Sequence, residues 1–339
     1  MKTNPGRFFE DYTVGETIHH AVPRTITSER ALYHALYPAR HALYSSESFA
    51  QSCGLPASPL DDMAAFHVVF GKTVPDISLN AVANLGYAQG QWLNPVYPGD
   101  TIRSRSEVIG LKQNSSGKTG VVWVRTKGLN QRDETVMSFV RWVMVKRRAP
   151  GEAPESHVPE LSSHVPGDAL TVPEGLRFDT YDFALAGEPH RWTDYEIGEV
   201  IDHVDAVTIE EAEHMMATRL WQNTAKVHFD ATQRHDGSRL IYGGHVISLA
   251  RTLSFNGLAN AQMVVALNAG AHANPCTAGM TVRAWSEVLD RAITAAPGVG
   301  ALRLRLVATT GEAGALKGED GKYLPEVLLD LDYWALIPT

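Results

Sequence analysis

Apolar and polar residues alternate with a period of two along GVVWVRTKGL from Gly120, VMSFVRWVMVK from Val136, ALRLRLVATT from Ala301 and EVLLDLDYWAL from Glu326. That period turns successive side chains to opposite faces, so each run predicts an antiparallel strand with one buried face. FHVVFGKTV from Phe66 and GHVISLARTL from Gly244 are apolar over two turns or more and predict buried helices, whereas EEAEHMMATRL from Glu210 predicts an amphipathic one. Thr27 and Thr208 each precede an acid by two residues, which reads as a helix N-cap with acids in the first turn.

These elements occur twice in the same order. NPVYPGDTIRSRSEV (Asn94–Val108) matches NPCTAGMTVRAWSEV (Asn274–Val288) in register, and EDYTVGETI (Glu10–Ile18) matches TDYEIGEVI (Thr193–Ile201). Self-similarity of this extent predicts a duplicated domain, and 339 residues suffice for two cores. Between the copies, RRAPGEAPESHVPELSSHVPGDALTVPEGL is rich in Pro, Ser and Glu and predicts a surface linker. The expected organisation is a first domain over 1–148, a linker over 149–190 and a second domain over 191–339.

Composition narrows the function classes. With 44% hydrophobic and 20% charged residues the chain reads as a folded soluble protein, and a net charge of -8 gives no general attraction to nucleic acid or anionic membrane. Cys53 and Cys276 are too few for a disulfide framework and have no metal-ligand spacing. The N-terminal MKTNPGRFFEDY lacks the apolar core of a signal peptide, and no run approaches the ~18 apolar residues of a membrane span, so a cytoplasmic location is expected. No HExxH pair, G-x-S-x-G elbow or glycine-rich phosphate loop is present, so no metal, serine nucleophile or nucleotide cradle of those types is expected.

One segment gathers chemistry. In NTAKVHFDATQRHDGSRLIYGGHVISL (Asn223–Leu249) a histidine is followed by a Gly-Gly pair that opens an apolar helix. An imidazole exchanges protons near neutrality, and the N–H groups of a helix start stabilise anions. The same residues also have a plain structural reading: a hydrogen-bonded histidine, and glycines that merely permit a tight approach to a strand.

A long apolar helix wrapped by antiparallel strands, with a glycine turn at its start and a later P-G-D turn, resembles the hot-dog fold. The duplication resembles the double hot-dog branch of the MaoC-like (R)-specific enoyl-CoA hydratases. Their signature, approximately G-D-x-N-P-x-H and then I-V-H-G-x at a helix start, is matched in part by QNTAKVH (Gln222–His228) and IYGGH (Ile241–His245). Within that family, FHVVFGKTVPDISLNAVANLGY, RLWQNTAKVHF and ISLARTLSFNGLANA resemble the mesaconyl-CoA hydratases, also called β-methylmalyl-CoA dehydratases. The resemblance covers nearly the whole chain. It implies an α+β tandem hot-dog fold and a hydro-lyase that reversibly adds water across the double bond of an acyl-CoA, mesaconyl-CoA giving β-methylmalyl-CoA, in glyoxylate or acetyl-CoA assimilation. No cofactor is implied beyond the CoA of the substrate, and association into homo-oligomers of double hot-dog units is left open.

Carried over residue by residue, the resemblance makes His228 the acid–base group and Gly244, beside Gly243 and His245, the backbone donor for the thioester oxygen. Asn223 stands where the family usually has Asp. An amide cannot act as a general base but can orient water. The departure has a physical reason if the substrate carries a carboxylate on the carbon that water attacks: two like charges ~5 Å apart at an effective dielectric of ~20 repel by roughly 3 kcal/mol. Asp61 and Asp62, before the first apolar helix, are candidates to replace the missing base, with helix N-capping as their plain alternative. Candidate cations for the free carboxylate are Arg219, Lys226 and Arg251, with Arg40 and His41 in the first half. RHALYSSESFAQ (Arg40–Gln51) occupies the reactive segment's place in that half and lacks its spacing, so one active site per chain is expected. The competing functions are a broad (R)-specific enoyl-CoA hydratase, a hot-dog thioesterase and a non-catalytic acyl-CoA-binding protein.

Overall fold

The computed structural model describes residues 2–149, 151–152 and 154–339. Along β3 (Thr101–Gln113), Ile102, Ser104, Ser106 and Val108 are buried while Arg103, Arg105 and Glu107 are exposed, the two-residue period the pattern demands. Nine more strands, β1 (Thr17–Thr25), β2 (Ala81–Trp92), β4 (Thr119–Leu129), β5 (Thr135–Lys146), β6 (Val200–Thr208), β7 (Met263–His272), β8 (Thr281–Ile293), β9 (Val299–Thr309) and β10 (Val327–Pro338), join it in one antiparallel sheet. Its order is β1-β3-β4-β5-β2-β7-β10-β9-β8-β6. Strands before residue 147 thus form one half and those after residue 199 the other, sewn together where β2 pairs with β7. Small residues permit that seam: a side chain at Gly90 would meet Leu267, and one at Gly270 would meet Tyr87.

The helices are α1 (Glu29–Leu36), α2 (Ala42–Ser45), α3 (Glu47–Ser52), α4 (Asp62–Gly71), α5 (Phe183–Ala186), α6 (Glu211–Leu220), α7 (Lys226–Phe229), α8 (Gly243–Leu253) and a kinked α9 (Phe255–Leu258). Every residue of α4 is buried, as is every residue of α8 beyond Gly243. Both central helices pack into one continuous core with the sheet, in which each fully buried Phe or Leu contributes about 1.5–3 kcal/mol. No helix among the described residues is long and apolar enough to cross a membrane.

The halves repeat in contacts as well as in order. His20 Nε2 meets Ser106 Oγ at 2.8 Å and His203 Nε2 meets Ser286 Oγ at 2.8 Å. Thr25 faces Thr101 and Thr208 faces Thr281, each hydroxyl pair 2.8 Å apart. Leu60 N–H donates to the Val96 carbonyl as Ile241 N–H donates to that of Cys276, so Asp61 corresponds to Tyr242 and Asp62 to Gly243. The echo of FHVVFG in GHVISL is therefore about one helical turn out of structural register. A shift of three residues keeps the same helix face inward, which is why the sequences still agree.

Two local expectations change. α1 is flanked by Ser28 and α6 by Glu210, neither capping through its side chain; at α1 the Glu29 carboxylate reaches back 2.6 Å to the Thr27 N–H instead. Nor is the connecting stretch a free surface linker. Val165, Leu176, Phe178 and Tyr181 are buried, His157 bridges to Leu111, and Trp334 Nε1–H donates to the Val165 carbonyl at 2.9 Å, so the segment is strapped across the sheet.

Candidate active site

The reactive segment begins where α6 ends. Gln222 adopts a left-handed conformation (φ 57°), which reverses the chain and lets Asn223 N–H return to the Thr218 carbonyl. α7 follows at once and carries His228. The polar loop after it is drawn back by Leu240, whose N–H donates to the Val227 carbonyl at 3.0 Å and whose own carbonyl accepts from His228 Nδ1–H at 2.8 Å. The latter bond dictates the tautomer: the carbonyl can only accept, so Nδ1 carries the proton and Nε2 presents a lone pair. Burial holds His228 below the ordinary histidine value, opposed by the bond to Leu240, so the ring is neutral at pH 7.

Three residues beyond Leu240, α8 starts. Neither Gly243 N–H nor Gly244 N–H has a partner among the described residues, as expected for the first turn of a helix. Both glycines are also required by close packing. A Cβ on Gly243 would lie 2.4 Å from the His272 ring, and one on Gly244 would lie 2.2 Å from the Tyr242 hydroxyl. That hydroxyl is 2.6 Å from His67 Nδ1, whose Nε2 is 2.7 Å from Ser248 Oγ, so the start of α8 is bolted to α4.

These groups line a cleft of about 310 Å³ between the halves. The second half contributes Asn223, His228, Tyr242, Gly243, Gly244 and His272, and the first half contributes Phe70, Ser78, Asn84, Tyr87 and Arg141. Tyr87 and His272 meet across the β2–β7 seam, hydroxyl to Nε2, at 3.1 Å. Burial, then the neighbouring His228, pushes His272 down to about 4. Among the described residues lining the cleft none is Asp, Glu or Lys, and Arg141 is the single permanent charge. Asn223 is buried; its Oδ1 faces Ala225 N–H at 3.4 Å and its NH₂ has no partner among the described residues.

The structure thus brings together Asn223, His228, Gly243 and Gly244, and leaves the other sequence candidates outside the cleft. His245, on α8, is buried away from the cleft with Nδ1 3.0 Å from the Tyr37 hydroxyl. Arg219, Lys226 and Arg40 are exposed, Arg40 lying over the Phe255 ring. Arg251 is buried and already engaged, donating to His41 Nε2 at 2.8 Å, to Ser254 Oγ and to the carbonyls of Ala261 and Gln262. Asp61 caps α4 through Met63 N–H at 2.9 Å. Asp62 accepts from the Tyr44 hydroxyl and from Val264 N–H at 2.7 Å; burial and then the Asp61 charge push it up to about 8.

Those last contacts occupy the corresponding place in the first half. His41, which precedes α2, has the same backbone conformation as Ala225, which precedes α7, so Tyr44 stands in the place of His228 and Asp62 in that of Gly243. The two bond to each other and fill the matching site, leaving a void of about 10 Å³. Sequence reasoning missed His272, Tyr87, Asn84 and Arg141. For Arg141 a signal existed: it interrupts the buried face of an otherwise apolar strand.

Comparison with known proteins agrees with this architecture. A sequence model of the family described as mesaconyl-CoA hydratase matches residues 2–314. The chain is 74% identical over 344 residues, covering all of both chains, to a mesaconyl-CoA hydratase of Cereibacter sphaeroides. A solved MaoC domain protein dehydratase of Chloroflexus aurantiacus superimposes with a TM-score of 0.95 at 55% identity, covering 100% of this chain and 99% of that one. A Mycobacterium tuberculosis protein with a double hot-dog fold superimposes with a TM-score of 0.77 at 24% identity over 98% of each chain. Built on that double hot-dog fold, the chain belongs to the mesaconyl-CoA hydratase family.

Proposed function

We propose that this protein is a hydro-lyase that interconverts mesaconyl-CoA and β-methylmalyl-CoA, with no cofactor beyond the CoA of the substrate. The observation that carries the reading is the juxtaposition, in one cleft, of a neutral His228 of fixed tautomer and the unpartnered N–H groups that open α8. The relative that shares 74% of its residues supports the substrate.

In the hydration direction His228 Nε2 accepts a proton from water as its oxygen bonds to the carbon bearing the free carboxylate. Electrons of the double bond move into the thioester, whose oxygen becomes an enolate held by the first N–H groups of α8. That charge exists only near the transition state, so donors fixed in advance lower the barrier rather than merely tightening binding. His228, now an imidazolium, returns its proton to the carbon next to the thioester, and the net result is addition of one water. Asn223 orients the water or the substrate carboxylate through its amide without adding a negative charge. The first half supplies the wall that receives the acyl chain. Two buried, unpaired cysteines fit a reducing, cytoplasmic setting.

The test follows enoyl-thioester absorbance and free thiol with mesaconyl-CoA and crotonyl-CoA. Loss of absorbance with mesaconyl-CoA and no thiol release supports the reading. Turnover of crotonyl-CoA alone would assign a general enoyl-CoA hydratase, thiol release a thioesterase, and silence with both a binding protein.

A further inference from the structure

Arg141 is buried in β5, with no water-accessible side chain, yet it borders the cleft. Its Nη1–H donates to Ser78 Oγ at 3.0 Å and its Nη2–H to Thr73 Oγ1 at 2.8 Å, its guanidinium lies 4.4 Å over the Phe70 ring, and its Nε has no partner. No carboxylate among the described residues pairs with it. Burial lowers it only to about 10, so it stays charged at neutral pH. A buried cation without a counter-ion is unfavourable, and an anion that completes its hydrogen bonds offsets that cost.

Two further groups on the same wall are incomplete. Asn84, on β2, has its amide oxygen and NH₂ both buried without partners. Ser78 accepts from Arg141 and retains a hydroxyl proton to donate. Guanidinium edge, hydroxyl and amide NH₂ together match the acceptor-only oxygens of a carboxylate.

The duplication supplies an internal comparison. Arg141 pairs with Tyr87 in β2, and its counterpart Tyr333 pairs with Leu267 in β7. The second half thus has a neutral ring on the strand and carries its buried cation, Arg251, on the helix instead. Arg251 is saturated by His41, Ser254 and two carbonyls and does not reach the void of about 10 Å³. The buried cation of the second half therefore serves packing alone, while that of the first half borders the cleft opposite His228 and keeps its Nε unpartnered.

We propose that Arg141, with Ser78 and Asn84, is the seat of the substrate's free carboxylate and determines preference for dicarboxylic acyl-CoA thioesters. The assignment rests on the mesaconyl-CoA reading above and places the seat on the opposite half from His228. One half then grips the distal end of the acyl group while the other acts on the double bond between.

Binding separates this proposal from that reading, because it needs no turnover. The probes are 2-methylsuccinyl-CoA and 2-methylbutyryl-CoA, saturated thioesters that differ only in a carboxylate against a methyl group, titrated by calorimetry. The wild-type protein is expected to prefer the dicarboxylic thioester by roughly 10²-fold, the scale of hydrogen bonds to a charged group. Arg141→Gln is expected to abolish the preference while leaving 2-methylbutyryl-CoA affinity close to unchanged. Absence of preference in the wild type, or equal weakening of both probes by Arg141→Gln, overturns the assignment and leaves Arg141 as a packing staple. Should Arg141→Gln fail to fold, Ser78→Ala and Asn84→Ala carry the test: each is expected to lower the preference, and an unchanged preference in both overturns it. Failure of mesaconyl-CoA to turn over, with the binding preference intact, would instead remove the hydratase reading.

Discussion

Replacing either glycine at the start of α8 by alanine separates packing from chemistry. At Gly244 the new methyl would sit 2.2 Å from the Tyr242 hydroxyl and 2.6 Å from His67 Cε1. Neither ring can yield freely, since both are buried and joined through the 2.6 Å bond that continues to Ser248. Overpacking costs about 1–3 kcal/mol and loss of a buried hydrogen bond a further ~1–3 kcal/mol, so Gly244→Ala is expected to lower stability by about 2–6 kcal/mol. At Gly243 the obstacle is the His272 ring, 2.4 Å away, which borders the open cleft and can swing into it. Gly243→Ala should therefore cost less, about 1–2 kcal/mol in stability, chiefly the 3.1 Å contact of His272 with Tyr87. On the proposed mechanism its penalty is catalytic: a displaced His272 intrudes where the thioester would lie against the α8 N–H groups. Misaligning one such donor lowers kcat by about 10²-fold or more. Urea midpoints and kcat on the same preparations give both readouts. Full activity in Gly243→Ala, or unaltered stability in Gly244→Ala, would refute this division of labour.

Acid should unfold the protein through its buried rings: burial holds His67 and His214 at about 3 and His245 at about 4, against ~6.5 unfolded. The unfolded state then binds more protons between pH 6.5 and 4, so stability is expected to be full above pH 6.5 and to fall steeply below it; a melting temperature flat down to pH 4 would contradict this. Because the folded value of His228 is also lowered, kcat/KM for hydration should be flat from pH 8 to below 6.5 and then decline, and an acidic limb centred above pH 7 would argue against His228 as the base. Asn223→Asp should weaken mesaconyl-CoA by roughly 10²-fold through like-charge repulsion of ~3 kcal/mol, with crotonyl-CoA little affected, and equal handling of the two thioesters would count against it. Asp62→Asn, at a buried carboxyl held up to about 8, should leave kcat nearly intact; a hundredfold loss on the order of a catalytic deletion would return Asp62 to the active site.

Much of the fold was legible because the duplication repeats strong local signals. Strands β4, β5, β9 and β10 carry apolar, partly alternating runs, and the two central helices are mostly apolar and buried on every side. β2 and β7 were not legible as strands, since AVANLGYAQGQW and MVVALNAGAH are dominated by small residues chosen for close approach across the seam. The connecting stretch misled for a related reason: its Pro and Ser content signals irregular backbone, not exposure, and Val165 and Phe178 bury their side chains all the same. In the site, His228, Asn223, Gly243 and Gly244 could be read because they lie within one segment whose spacing is set by a single loop. Asn84, Tyr87 and His272 could not, because only the β2–β7 seam brings them to that segment, and Arg141, though marked by its place among apolar residues of β5, could not be assigned to the site for the same reason. The charged residues nearest in sequence, Arg219 and Lys226, face solvent on short helices instead.

The most direct test of the hydration chemistry is a comparison of wild type and His228→Ala with mesaconyl-CoA in ¹⁸O-water, reading the product by mass. The structure predicts a β-methylmalyl thioester carrying one labelled oxygen from the wild type and none from the variant at equal fold content. Label incorporated at comparable rate by His228→Ala, or label appearing in a free carboxylic acid rather than in the hydrated thioester, would contradict it.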